Sequence, residues 1–331
     1  MTNTDVKNTP FFSVVIPTRN RVDLFKKALN SVLSQTFTDF EVIVVNDGSN
    51  KESLEAYKQF EKETPSNVYF RYQIKRPNGH GQSYSMNTGA LVGAGKYLCF
   101  LDDDDEWIDS EHLARAYESI SNSDCTVDAY YTNQTAVFVD GVVKQGPIWL
   151  EDLAEKLQYK QSDVRGTMDV SVSELLESHG FAHLNCSIIR RELYLCINGM
   201  DENIRWECDR DLYLRTLARA DKILYNPCVV SRHLIPDTSK KENMTTMVNM
   251  LEKRLYQVTV FQKGTLLLKR SSLRTYCLAY LGFIYQHITH ELLSTNRVKE
   301  ASSYASKALA CRFSIKWLVF TYWLKTKALL S

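Results

Sequence analysis

No two cysteines in this 331-residue chain stand in a CxxC spacing, and no Cys/His pattern has the spacing of a zinc site. The eight cysteines fall singly, at 99, 125, 186, 196, 208, 228, 277 and 311. Several lie inside apolar runs, where a thiol behaves as a small hydrophobe. A reducing compartment fits that usage. Long apolar runs are missing too. The most apolar stretch, Trp317-Leu318-Val319-Phe320-Thr321-Tyr322-Trp323-Leu324, is too short for a membrane span and is bracketed by lysines. Met1 to Thr9 is polar and has no apolar core of a secretory signal. Helix-turn-helix, zinc-finger and RNP patterns are absent, which argues against nucleic acid as a partner. The expectation is a soluble cytoplasmic protein.

Net charge is nearly lacking: 40 Lys+Arg stand against 39 Asp+Glu. The balance hides an asymmetry. From Lys240 onward there are 15 basic and 4 acidic residues, which leaves 25 against 35 before it. A basic tail on an acidic body calls for an anionic partner or membrane surface. Lys316-Trp317 and Trp323-Leu324-Lys325 combine aromatics with lysines as interfacial helices do. Peripheral contact with the inner face of the cytoplasmic membrane is therefore one expectation. Packing of those aromatics against the rest of the chain is the other.

What is present in excess is carboxylate at one point. Tyr97-Leu98-Cys99-Phe100-Leu101, preceded by Gly95-Lys96, reads as a buried strand, and it runs into Asp102-Asp103-Asp104-Asp105-Glu106-Trp107. Like charges crowded at the carboxyl edge of a sheet repel one another unless a cation sits among them. Hard oxygen donors favour Mg²⁺ or Mn²⁺, and that edge is where open α/β sheets bind ligands. An ordinary solvated loop is the competing reading, with Asp109-Ser110 capping a helix that begins near Glu111.

The elements around the run support a parallel sheet. Phe11 to Pro17, Glu41 to Val45 and Val68 to Gln73 read as strands. They alternate with a helix carrying the stripe Leu24, Phe25, Ala28, Leu29, Val32 and Leu33, and with a second helix over Glu52 to Phe60. Asn20 is placed to cap the first helix, with Asp23 in its first turn. Ser83 to Gly93 reads as a small-residue helix. Ala129 to Tyr131 and Ala136 to Val139 read as strands, the second closing a hairpin through Asp140-Gly141 to Val142–Gln145. Residues 147–180 have no clear period. Asn185 to Ile189 is strand-like, a helix follows from Arg191, and Leu212, Leu214 and Leu217 belong to another. Ile223 to Asn226 precedes a last strand at Val229 to His233. Helices are expected over Met244–Gln262, Leu273–Leu293, Arg297–Cys311 and Ile315–Leu330.

With these residues assembled, the chain resembles a family 2 glycosyltransferase of the GT-A fold, of the bacterial surface-polysaccharide type. Val14 to Arg21, Ser31 to Thr36 and Glu41 to Ser49 match its opening segment. Asn87-Thr88-Gly89, Gly95-Lys96-Tyr97 and Leu101 to Trp107 match its middle, and Gly199 to Glu202 with Asp209 to Arg215 match its acceptor-side motif. The resemblance implies an α/β fold, a Rossmann-like, mainly parallel mixed sheet flanked by helices. Residues 1–240 would form this catalytic domain and 241–331 an all-helical basic region. It implies transfer of a sugar from a nucleotide-sugar donor, a UDP-sugar, to a glycan or lipid-linked acceptor, with inversion.

Thr18 and Asp47 would line the base pocket, Asp102 and Asp103 would contact the ribose, and Pro17 would belong to the same nucleotide-sugar site. Asp104 would hold Mn²⁺ or Mg²⁺, His233 would reach that metal or the diphosphate or else be a plain surface histidine, and Asp209 would be the general base. Three positions depart from the family pattern: Asn46 and Cys208 replace acids, and Met86 replaces a base. Cys208 leaves the general base open between Asp209 and Asp211. A nucleotidyltransferase is disfavoured because Pro17-Thr18-Arg19-Asn20-Arg21 has no glycine, and a non-catalytic scaffold because the motif carboxylates are intact.

Overall fold

The computed structural model describes residues 9–235 and 248–330. Met1 to Asn8, the 240/241 boundary and the expected helix start at Met244 lie outside the described residues. The described chain forms two compact units. One holds the residues up to Glu202 together with those from Arg219 to 235. The other holds Asn203–Ala218 and the residues from 248 onward.

The first unit is built in chain order from β1 (Phe12–Thr18), α1 (Val22–Leu33), β2 (Phe40–Asn46), α2 (Lys51–Glu61), β3 (Val68–Tyr72), α3 (Gln82–Val92), β4 (Tyr97–Phe100), β5 (Glu106–Trp107) and α4 (His112–Ser121). It continues through β6 (Ala129–Val137), α5 (Leu153–Lys156), β7 (Met168–Asp169), α6 (Val172–Glu177), β8 (Ser187–Arg190) and α7 (Arg191–Cys196). After α8 (Cys208–Arg219), which belongs mostly to the second unit, β9 (Ile223–Leu234) ends it. Nine strands make one sheet in the order β3-β2-β1-β4-β8-β6-β9-β5, with β7 also on β9. β1 to β4 are parallel, β8 runs antiparallel between β4 and β6, and β6 and β9 are again parallel. This is the mixed, mainly parallel sheet with flanking helices that the alternating pattern implies.

β1 is buried along its whole length because Phe-Ser-Val-Val-Ile-Pro-Thr offers little charge to either covering layer. The stripe of α1 packs Phe25, Ala28, Leu29 and Val32 into the same core as Val14, Ile16, Val42 and Val44. On the other face α3 approaches β1 so closely that a Cβ at Gly89 would overlap Val15. Small residues in α3 serve that approach.

Two local expectations are corrected, and two segments without a clear reading find their place. Asn20 does not cap α1. It sits at φ 58° and accepts a hydrogen bond from the Asn50 N–H at 2.8 Å, and Arg21 is the uncapped N-terminal residue. The strands expected at 129–131 and 136–139 are one strand, β6, which ends at Val137, and its partner β9 likewise runs unbroken through Pro227. The two strands shift register between Tyr131 and Gln134, and a proline is tolerated at such an irregularity. Residues 147–180 contribute a strand, since β7 pairs with Leu224 and Tyr225. The acidic run also ends in the sheet: Glu106 and Trp107 pair with Arg232 and Ser231.

That last pairing fixes the run at both ends. It leaves β4 at the middle of the sheet and rejoins at the β9 edge. The end of α1 holds the second anchor. Ser31 Oγ accepts from the Trp107 N–H at 3.0 Å, Gln35 donates to the Asp109 carbonyl at 2.8 Å and accepts from the Leu113 N–H at 3.0 Å.

Among the described residues the second unit joins α8 to four helices, α9 (Met250–Leu267), α10 (Ser271–Ser294), α11 (Val298–Cys311) and α12 (Ile315–Leu330). Each of these four packs on the next, and the short connections between them make a series of helical hairpins. No helix among the described residues is long and apolar enough to cross a membrane.

Candidate active site

The carboxyl ends of β1, β2 and β4 place Thr18, Asp47 and the acidic run along one edge of the sheet. Within the run the carboxylates alternate in environment. The side chains of Asp103 and Asp105 are 8% and 0% exposed, whereas those of Asp102 and Asp104 keep 18% and 24%.

The two buried carboxylates are engaged by the protein. Asp103 accepts from Thr18 Oγ1 at 2.7 Å and from Arg21 at 3.1 Å. Thr18 Oγ1 is also 2.6 Å from the Tyr57 hydroxyl. Asp105 accepts from the Leu234 N–H at 2.8 Å, lies 2.9 Å from His233 Nδ1, and takes a short hydrogen bond from the Asn185 amide. The open pair is held at its rim. Gln82 donates to Asp102 at 2.6 Å, and Arg21 reaches Asp104 at 2.9 Å. Asn185 Oδ1 accepts from the Asp102 N–H at 3.0 Å.

Asp47 is spent on a loop. Its carboxylate accepts from the His80 N–H at 2.8 Å and the Gly81 N–H at 3.0 Å, and Gly79, at φ +69°, leaves no room for a Cβ beside it. Pro17 lies buried in β1 opposite Val45. Asn87 ties two of the motif segments together. It accepts from the Met200 N–H and Tyr194 hydroxyl, each at 2.8 Å, and donates to the Met200 carbonyl and Glu202, each at 2.9 Å.

Electrostatics follow from this crowding. Burial first, then repulsion among neighbours, raises the pKa of Asp102 well above the usual carboxylate value. Burial raises Asp103 to about 6 against the attraction of Arg21, and burial with Asp105 repulsion raises Asp104. Burial opposes the charge on His233, but its hydrogen bond to Asp105 and the surrounding carboxylates overcome this and push it up to about 9. His183, buried nearby and 5.7 Å from His233 between ring centres, is pushed down to about 4 by burial and by that charge.

Among the described residues no three His, Cys, Asp or Glu side chains form a closed metal cage. Mg²⁺-type sites are commonly completed by one or two carboxylates and the ligand's own phosphates, so the hard, partly open and mutually repelling pair Asp102 and Asp104 fits such an ion.

The titration has a sign. His233 has its folded pKa above the unfolded one, so its stabilising contribution is full below about 6.5 and lost as pH rises through about 9. Asp103, also raised, contributes below about 4 and loses that contribution by about 6. In chelator, thermal or urea melts are expected to lose about 3 kcal/mol from His233 between pH 6.5 and 9.5. His233→Gln should flatten that span; an unchanged slope in the variant would remove the assignment.

The second unit carries the other candidates. Asp209 lies in the first turn of α8 and accepts from the Arg210 N–H at 2.8 Å. Asp211 is buried and held by Arg215 at 2.8 Å and Lys263 at 2.9 Å. Preceding them, Glu207 adopts φ 62°, pairs with Arg210 at 2.6 Å and accepts from Gln257 at 2.6 Å.

Several site residues have no signature in the sequence pattern. Arg21 reads as a turn residue, yet it is a cation on two of the aspartates. Asn185 reads as the start of a strand and His183 lies in a segment with no clear reading; polar side chains inside Phe181-Ala182-His183-Leu184-Asn185-Cys186 are the available signal. Trp149, at φ 74°, stacks on His183 with ring centres 5.3 Å apart.

Comparison with known proteins accords with this fold. The chain is 32% identical to an uncharacterized glycosyltransferase of Nostoc sp. over 147 residues, 43% of this chain and 44% of that protein. It is 29% identical to the succinoglycan biosynthesis protein ExoW of Rhizobium meliloti over 229 residues, 66% of this chain and 63% of that one. The chain thus spans less than half the length of the Nostoc relative. Among solved structures, S. aureus TarS 1–349 in complex with UDP-GlcNAc superposes with a TM-score of 0.67 at 16% identity, covering 96% of this chain and 88% of that one. The mannosyltransferase PcManGT of Pyrobaculum calidifontis, in complex with GDP-Man and Mn²⁺, superposes with 0.60 at 18% identity, covering 98% and 81%. The family model for glycosyl transferase family 2 matches residues 13–194, more than half of the chain, and the protein belongs to that family.

Proposed function

We propose that the chain is an inverting glycosyltransferase of bacterial surface-polysaccharide assembly. It moves a sugar from a nucleotide donor, a UDP-sugar, to a hydroxyl of a glycan or lipid-linked acceptor. The observation that carries this reading is the alternation in the acidic run, which buries Asp103 and Asp105 as supports and leaves Asp102 and Asp104 open at the sheet edge. The UDP-GlcNAc complex of TarS and the GDP-Man and Mn²⁺ complex of PcManGT support a nucleotide-sugar donor and a divalent cation.

Asp104 would hold Mn²⁺ or Mg²⁺ with His233 beside it and with Asp102, which the resemblance instead assigns to the ribose, as a second carboxylate, and the ion would supply charge neutralisation to a departing diphosphate. Arg21, paired to Asp103 and Asp104, keeps the cluster compact and adds a fixed positive charge at the rim. Thr18, Asp47 and Pro17 shape the nucleotide side. Asp47 does so through the 79–81 loop that its carboxylate clasps. Asp209 accepts the proton of the attacking acceptor hydroxyl. Asp211 is a poor alternative, because two cations already share its charge inside α8 and α9. One attack opposite the leaving group inverts the anomeric centre.

The test is a panel of UDP-, GDP- and dTDP-sugars with Mn²⁺, read by nucleotide release and by NMR of the first-formed sugar. Release from UDP-sugars with an inverted anomer is expected. A retained configuration overturns inversion. Failure to bind any nucleotide by calorimetry overturns the transferase reading in favour of a scaffold.

A further inference from the structure

We propose that the outward face of α12 is a docking surface for an anionic lipid layer. The inward face of this helix is fully used. Trp317, Thr321 and Leu324 are buried, and the Trp317 indole donates to the Ala305 carbonyl of α11 at 3.0 Å. The opposite face is open and apolar except for Thr326. At 3.6 residues per turn Ile315, Val319, Tyr322, Trp323, Leu329 and Leu330 fall within an arc of about 120° centred opposite the buried stripe. All six are at least half exposed. Lys316 and Lys327 border one side of that arc and Lys325 the other, and all three are exposed. Apolar and aromatic side chains framed by lysines on both borders are what an interfacial helix presents to headgroups and upper acyl chains.

Charge selects the occupant. From Ala301 to Ser331 the sequence has five Lys or Arg and no Asp or Glu. Two copies meeting across a two-fold axis would bring identical basic borders together with no acid to answer them. An anionic membrane surface supplies the missing charge, at roughly a fivefold gain in partitioning per lysine. Among the described residues no helix is long and apolar enough to cross a membrane, and the framed apolar face of this one suits the interface. The surface belongs to the second unit, and the proposal stands whether or not the transfer reading does.

The experiment is co-sedimentation of the full chain with phosphatidylglycerol-rich vesicles and with pure phosphatidylcholine vesicles, at low and high salt. Binding to the anionic vesicles alone, weakened by salt, is expected. Val319→Glu with Trp323→Glu should lower partitioning by roughly tenfold or more with an unchanged melt, since both positions are exposed. Lys325→Gln and Lys327→Gln should each cost roughly fivefold. Equal partitioning onto neutral vesicles, or undiminished binding by the double variant, overturns the proposal. So does self-association in sedimentation velocity that the double variant abolishes while vesicles are ignored, which would assign the face to a second copy.

Discussion

Asp104→Ala is expected to lower sugar transfer by roughly 10³-fold while leaving the protein at least as stable without metal. The two halves of that expectation have separate causes. Asp104 is the most exposed of the four aspartates, and burial together with repulsion from Asp105 raises its pKa, so its removal relieves an unfavourable charge in the metal-free protein. Arg21 keeps its 3.1 Å contact with Asp103 and is not stranded. The loss should therefore appear only where Mn²⁺ or Mg²⁺ and nucleotide are present. Wild-type protein should melt higher with Mn²⁺ and UDP, and the variant should not. Turnover undiminished in Asp104→Ala, or undiminished in wild type after chelation, would remove the cation from the reaction.

A second substitution pair separates chemistry from scaffolding. Asp209→Asn should lower kcat by about 10²–10⁴-fold, the range of a lost general base, with UDP binding and melting temperature retained. Asp211→Asn should behave differently. It leaves Arg215 and Lys263 facing a neutral amide in a buried position, and a broken buried pair costs about 3–5 kcal/mol. Its signature is a lowered melt, with activity lost in proportion to folded protein. If Asp211→Asn instead melts normally and alone loses turnover, the base is Asp211.

What could be read in advance divides along physical lines. β1, β2 and the strand before the acidic run are legible because each is a continuous β-branched or aromatic run between turn residues, and both faces of the sheet are covered. α1 is legible from its stripe, and α12 from its apolar length. The short strands were not. Met168–Asp169 and Glu106–Trp107 are two residues each, and neither carries a period; only their partners on β9 make them strands. The gap expected between Asn226 and Val229 is closed in the structure, where a register shift against β6 accommodates Pro227 and its missing N–H.

The site shows the same division. A local signal, four aspartates after a strand, pointed to the edge. The supports come from far along the chain: Arg21 is 82 residues from Asp103, and Asn185 is 80 from Asp105. No local pattern reports such pairings. Asn20 illustrates the opposite error, a good capping residue claimed instead by a loop 30 residues away.

The double anchoring of the acidic run carries a consequence for how this stretch can vary. It is a bridge of fixed span between β4 and β9, and side chains along a strand point alternately to opposite sides. Inserting or deleting a single aspartate would keep the chemistry nearly intact on paper. Yet it would turn Trp107 from the interior, where its indole meets the Asn185 carbonyl at 3.0 Å, towards water, and send Glu106 the other way. Here spelling out the right number of residues matters more than which acids they are, so length polymorphism should be rarer than substitution.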